Sequence, residues 1–313
     1  MAIILPDGLS AGAILRAEGI EVLNDRRPGR RPLHVGLLNL MPDKPATECQ
    51  FARLLGRGPR DVELVLMHPA THRPRNTPAD HLADFYRPWH AVTREGLDGL
   101  IVTGAPVELM PFAKVDYWPE LCRILDWARH GVRSSFHVCW AAQAALYRFH
   151  GVGKRVLPAK RFGVFTQRVT APESPLAAGL PAWFSVPVSR HTESLIDEIP
   201  WKAGLVPVAL SDESGLCLLE DAGNRAVYAF NHFEYDADTL AREYRRDLAA
   251  GEANRLPQGY FPGDDPNAAP VNTWRAAATM LFENWLGQLE CLKVEGARRP
   301  AGRQAERQSI QGF

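Results

Sequence analysis

The chain lacks an excess of either charge, any apolar run of membrane-spanning length and any cysteine pattern, and each shortage removes a class of function. Thirty-six basic and 36 acidic residues in 313 leave no formal net charge. Nothing here favours a phosphate backbone or an anionic bilayer, so neither nucleic-acid nor membrane partners are expected. No stretch reaches the ~18 consecutive apolar residues that cross a bilayer. The opening Met-Ala-Ile-Ile-Leu-Pro-Asp-Gly lacks a basic segment ahead of a long apolar core, so it does not read as a secretory signal. The five cysteines, Cys49, Cys122, Cys139, Cys217 and Cys291, are odd in number and never spaced Cys-x-x-Cys. That speaks against a disulfide framework or a zinc ribbon and for a reducing cytoplasm. The histidines have no acidic partners at metal-ligand spacing, so neither a metal nor a bound cofactor is expected. His137 reads as a packed strand histidine.

What is present is the composition of a soluble globular protein, 46% hydrophobic and 23% charged. Residues 1–32 look like a short arm ending in a basic turn. Strand-like runs at 33–40, 62–67, 99–103 and 135–138 then alternate with helix-like stretches at 46–55 and 115–130. Such alternation predicts a parallel sheet with helices on both faces. Residues 68–90, rich in Pro, Arg and His, read as an irregular excursion with room for one helical turn. After residue 151 strand-like runs at 163–169, 185–189, 206–210, 215–220 and 226–230 follow with few helices between them, which predicts an antiparallel extension of the sheet. Helices are expected at 237–250 and 272–289. The expected organisation is an N-terminal arm, one catalytic α/β domain over 33–290, and a disordered polar tail over 291–313.

One junction stands out. Ser135 to Val138 has strand character, Cys139 follows, and the strongly helical run from Trp140 begins at once. A strand turning directly into a helix projects the residue at the bend from the sheet edge. It also places that side chain at the positive end of the helix, where a thiolate is favoured. The nucleophile elbow of hydrolases has this layout, with oxygen in place of sulfur. Taken alone, the segment suits a buried structural cysteine equally well. The second half lies in Ala-Val-Tyr-Ala-Phe-Asn-His-Phe-Glu-Tyr-Asp, 226–236, where a strand delivers His232 and then Glu234. A cysteine nucleophile needs a base, and the base needs a carboxylate to fix its orientation. In open α/β sheets the carboxyl ends of strands are where sites form.

Together these segments resemble the MetA-type homoserine O-acyltransferases, over about residues 1–289. Leu-Asn-Leu-Met-Pro at 38–42, Arg-Asn-Thr-Pro-Ala at 75–79, Val-Thr-Gly-Ala-Pro at 102–106, Val-Cys-Trp-Ala at 138–141, Ser-Arg-His-Thr-Glu at 189–193 and Glu-Tyr-Asp at 234–236 fall in order. The resemblance implies a flavodoxin-like fold of the class I glutamine-amidotransferase type, a homodimer, and transfer of an acyl group from acyl-CoA to the hydroxyl of L-homoserine, the first step of methionine synthesis from homoserine. It implies Cys139 as the nucleophile that carries the acyl group as a thioester, His232 as base and Glu234 as its orienting carboxylate. It further implies Lys44, Lys160 and Ser189 as substrate-binding residues and Arg246 as the guanidinium for the homoserine carboxylate, a task suited to a bidentate fork. The backbone N–H of Trp140, with one from the loop 104–108, is the expected oxyanion hole.

In that family the position of Glu108 separates two donors: glycine accompanies succinyl-CoA and glutamate accompanies acetyl-CoA. The physical reason is repulsion, since two carboxylates ~4 Å apart cost about 4 kcal/mol at an effective dielectric near 20. Acetyl-CoA is therefore the expected donor, with succinyl-CoA as the alternative. Three positions depart from the family pattern. Asn231 stands where glycine is usual before the histidine, which would matter if that position needs a positive φ. Phe233 stands where small residues or proline are common, and Val188 where histidine is usual. They leave open a related hydroxy amino acid as acceptor. A Cys-His-Glu amidotransferase or hydrolase would use the same trio, although Gly-x-Cys-x-Gly is missing around Cys139.

Overall fold

The computed structural model describes residues 1–58, 60–72, 77–252 and 255–297. Twelve strands among them join one mixed sheet. In chain order the strands and helices are β1 (Ala2–Ile4), α1 (Ser10–Ala17), β2 (Glu21–Leu23), β3 (Leu33–Leu38), α2 (Lys44–Leu55), β4 (Val62–His68), α3 (Ala79–Phe85), β5 (Arg87–Pro88), α4 (Trp89–Val92), β6 (Gly99–Val102), α5 (Trp118–Gly131) and β7 (Ser134–Val138). There follow α6 (Trp140–His150), β8 (Lys154–Val169), β9 (Trp183–Ser194), β10 (Leu205–Ser211), β11 (Gly215–Asp221), β12 (Ala226–Ala229), α7 (Thr239–Ala249) and α8 (Arg275–Ala297).

The sheet runs β2-β1-β4-β3-β6-β7-β12-β11-β10-β8-β9, with the short β5 beside β4. From β2 to β12 every pairing is parallel. From β12 to β9 every pairing is antiparallel. The expected α/β sheet with an antiparallel extension is therefore present. Its parallel strands are apolar because both faces are covered. One face packs on α1, α2 and α8 through residues such as Leu15, Phe51, Phe282 and Trp285. The other packs on α5 and α6 through Leu121, Ile124, Trp140 and Leu146. His137 lies fully buried in β7, stacked 5.8 Å from Tyr228, and burial pushes its imidazole down to about 3.

Four expectations need correction. Residues 1–32 are more than an arm: β1 pairs with β2 and β4, and α1 packs on α2. A three-residue strand is too short to show a period in sequence. Residues 68–90 hold α3, β5 and α4 rather than one turn. The run 163–169 is only the end of β8, which starts at Lys154 and forms a long hairpin with β9, interrupted by a register shift between Val156 and Arg161. Pro158 and the charged Lys154, Arg155, Lys160 and Arg161 mask that strand in the sequence. At the far end α8 continues past Leu289 to Ala297, so the first residues of the expected tail are helical. Residues 298–313 of that tail, with Arg75 and Asn76 of the 75–79 motif, lie outside the described residues.

Residue Gln258 docks on β8, its carbonyl accepting from Val164 N–H at 2.8 Å and its own N–H donating to Phe162 O at 2.9 Å. Gly163 between them has φ +149°, and a Cβ there would lie 2.3 Å from Gln258 O. Backbone on backbone cannot yield, so Gly163→Ala should cost about 2 kcal/mol or more, lowering Tm by roughly 5 °C. A thermal melt of the variant that matches the parent would refute this close approach.

Candidate active site

Cys139 occupies the bend between β7 and α6, with φ 53° and ψ −116°. This left-handed conformation is costly for a residue with a Cβ, and such strain gathers where function demands it. It is held by neighbours. The Cys139 N–H donates to Ala229 O at 2.7 Å, tying the end of β7 to the end of β12. Gly104, in the loop after β6, lies against it: a Cβ on that glycine would come within 3.3 Å of the Cys139 Cβ. Trp140 is the first residue of α6, and the first N–H groups of a helix have no partner within it.

The loop after β12 carries the expected base, His232. His232 N–H donates to Pro187 O of β9 at 2.9 Å, and its Nδ1 lies 2.7 Å from Glu234 Oε1. That contact leaves Nε2 as the ring nitrogen available to Cys139, which lines the same cavity. Burial opposes the charged imidazole, but Glu234 and Cys139 outweigh it and raise His232 well above its usual value. Tyr235 lies flat on the imidazole, centroids 4.1 Å apart and planes at 19°. Its hydroxyl donates to Glu243 Oε1 at 2.7 Å. Burial and Glu243 raise the phenol well above its usual value, so it remains a donor.

A cavity of about 450 Å³ brings together Cys139, His232, Glu108, Lys160, Ser189 and Arg246. Ser189 Oγ donates to Glu243 Oε2 at 2.6 Å, and Lys160 Nζ meets Asp247 Oδ2 at 2.8 Å. Arg246 directs Nε and Nη2 to Asp247 Oδ1 at 2.9 and 2.6 Å. Glu108 is not turned to solvent. Its Oε2 accepts from the N–H groups of His191 and Thr192 at 2.8 and 3.2 Å, and from the Thr192 hydroxyl at 3.2 Å. Lys44 does not line this cavity. It lines a second, of about 760 Å³, which shares Met41, Pro42, Pro106, Val107 and Met110 with the first. Its ammonium donates to Asn39 O at 2.5 Å, and burial lowers it to about 8.

Sequence reasoning missed Glu243, Asp247 and the stacking of Tyr235. Glu243, Arg246 and Asp247 share one face of α7 at i, i+3 and i+4, a spacing visible in the sequence once one of them is suspected. The three departures from the family pattern are set apart from the cavity. Val188, Asn231 and Phe233 are buried, and none lines it. Asn231 is not among the residues of positive φ, so it replaces glycine there without strain. Among the described residues no group of three or more His, Cys, Asp or Glu side chains is placed to hold a metal, and no helix is long and apolar enough to cross a membrane.

Comparison with known proteins gives the family and the fold. The model of the homoserine O-succinyltransferase family matches residues 2–291. A protein of Rhizorhabdus wittichii named homoserine O-acetyltransferase is 50% identical over 310 residues, covering 96% of each chain. One of Cereibacter sphaeroides with the same name is 49% identical over 292 residues, covering 92% of this chain and 96% of its own. Among solved structures, a glutamine amidotransferase of Methylobacillus flagellatus aligns over 89% of this chain and all of its own, with TM-score 0.54 at 15% identity. One from Thermotoga maritima covers 83% of this chain and all of its own, with TM-score 0.50 at 11% identity. These two speak for the fold alone.

The raised His232 value has a sign. A native value above that of the unfolded chain gives stability that is complete below about 6.5 and fades as pH rises through the native value. Glu234→Gln should therefore lower Tm more at pH 6 than at pH 10, and bring down the His232 titration followed by NMR. An equal loss at both pH values with an unmoved titration would show that the carboxylate does not hold the charge.

Proposed function

The chain belongs to the homoserine O-succinyltransferase family, and on that premise we propose that it moves an acetyl group from acetyl-CoA to the hydroxyl of L-homoserine through a thioester on Cys139. Acyl transfer to homoserine is the work of the family; donor, intermediate and residue roles are our reading. The observation that carries the donor choice is the position of the Glu108 carboxylate, which faces the Cys139 cavity while two N–H groups of β9 hold it. A succinyl group would bring its own carboxylate against that fixed charge, while acetyl brings none.

In the first half-reaction Cys139 Sγ, as thiolate, attacks the thioester carbonyl. The oxyanion develops toward the Trp140 N–H and the loop after β6, where donors fixed in advance cost no reorganisation. Collapse breaks the carbon–sulfur bond to CoA, and the departing thiolate takes the proton from His232 Nε2. Homoserine then enters as a zwitterion. Arg246, with Nη1 free of the Asp247 contacts described above, takes the carboxylate, and Glu243 is placed for the ammonium. Neutral His232 removes the hydroxyl proton as oxygen attacks the acyl-cysteine. Collapse releases O-acetylhomoserine and returns the thiolate beside a protonated imidazole. The adjoining cavity suits the carrier part of the donor: Met41, Val107 and Met110 offer an apolar wall, and Lys114 stands at its rim. A related hydroxy amino acid as acceptor is not favoured, because the departures that raised it lie outside the cavity.

CoA release by the purified protein with L-homoserine tests the reading. Acetyl-CoA should exceed succinyl-CoA by tenfold or more in kcat/KM, and Glu108→Gly should raise succinyl-CoA turnover at the expense of that preference. Cys139→Ala should reduce either rate by about a thousandfold or more. A parent enzyme that prefers succinyl-CoA would remove Glu108 from the specificity argument. Ordinary turnover by Cys139→Ala would remove the thioester.

A further inference from the structure

Arg190 lies between Ser189 and His191 in β9, whose side chains line the cavity, yet its own side chain points the other way and is buried, with 3% of its surface exposed. A buried guanidinium ordinarily has a carboxylate beside it. Among the described residues Arg190 forms no such ion pair. Its Nη1 donates to Phe230 O at 3.1 Å and Asn231 Oδ1 at 2.6 Å, its Nη2 donates to Ser214 O, and its Nε has no partner. Phe230 and Asn231 are the two residues before His232. Phe230 also follows Ala229, whose carbonyl holds the Cys139 N–H. The cation therefore holds the peptide that leads into His232, one residue beyond the carbonyl that braces Cys139, and does not line the cavity.

We propose that Arg190 is a positioning residue that fixes the peptide carrying His232 and supplies the buried positive charge that balances the Cys139 thiolate. This rests on Cys139 being the nucleophile, as read above. The opposite charge that a buried guanidinium demands is then the thiolate itself, and the field between them runs through the low-dielectric sheet rather than through water. The electrostatics agree: burial lowers Arg190 to about 10, and among its neighbours Cys139 is the foremost in opposing that. The other charged or titratable groups facing this pair are His232, Glu234 and Tyr235 after β12, Arg161 on β8, Glu193 on β9 and Cys217 on β11.

Alkylation of Cys139 by iodoacetamide, a neutral reagent that needs no substrate, separates this idea from the assigned activity. Cys139→Ala identifies the labelled site, and near-UV circular dichroism confirms folding. Arg190→Gln keeps donors for the backbone carbonyls but removes the charge. It should alkylate about tenfold more slowly at pH 7, with the gap closing by pH 9.5, because losing the buried charge makes the thiolate scarcer at neutral pH but not in alkali. Arg190→Lys, which keeps the charge but loses the fork, should alkylate within about threefold of the parent at pH 7 while kcat with homoserine falls. A gap in the glutamine variant that persists unchanged to pH 9.5 overturns the proposal, since loosened packing slows the reaction at every pH. If the glutamine variant does not fold, the lysine variant decides: parent-like alkylation at pH 7 supports the charge, and a tenfold loss there overturns it. A parent protein that alkylates quickly but transfers no acyl group would fail the functional reading while leaving this inference standing.

Discussion

The hydrogen bond from Cys139 N–H to Ala229 O is the constraint from which the rest of the site follows. It joins the carboxyl ends of β7 and β12 at the point where one strand becomes a helix and the other becomes the loop that carries the base. Without it, the left-handed backbone at Cys139 would have little to oppose its relaxation, a conformation worth about 1–3 kcal/mol of strain. With it, sulfur and imidazole are brought together by two adjacent parallel strands, whose spacing the sheet itself sets. Catalytic groups on rigid elements hold their geometry better than groups on free loops.

Around this junction the molecule separates its charges by depth. Glu234 sits behind His232, and Glu243 and Asp247 accept from Tyr235, Ser189, Lys160 and Arg246 at the α7 wall of the cavity. Glu108 stands at another wall of the cavity, held by backbone donors. Arg190 is buried outside the cavity lining. Each carboxylate has donors that fix its orientation, so the cavity presents an already assembled field to a zwitterionic guest. Such preorganisation is what makes polar groups effective in a dry site.

The trio Cys139, His232 and Glu234 was legible because its residue types recur at strand ends, where two simple patterns, an apolar run and an abrupt helix, mark the place. The alternating core was legible for the same reason. The hairpin of β8 and β9 was not, because Lys154, Arg155, Pro158 and Arg161 break the alternation that marks a strand. The strand β1 was too short to announce itself. Glu243 and Asp247 look like ordinary solvated charges of an amphipathic helix, and only the packing of α7 over the cavity turns them inward. Arg190 was quoted within a motif but carried no role, since burial of a single charge between two cavity residues is a tertiary fact. Asn231 posed a conformational question that the backbone answers: no positive φ is needed there.

The position of β12 in the sheet has a temporal side. It is among the last strands along the chain, yet it lies in the middle of the sheet, between β7 and β11. A ribosome therefore delivers the cysteine, its helix and much of the core well before it delivers the strand that leads to His232. Until Ala226–Ala229 slot into that gap, Cys139 has neither the carbonyl that braces its bend nor His232 beside it in the cavity. Pairings so distant in sequence form late because the chain must first close a long loop. On the mechanism proposed above, the thiol would thus meet its base only as the fold closes, and a growing or misassembled chain would carry it without that partner.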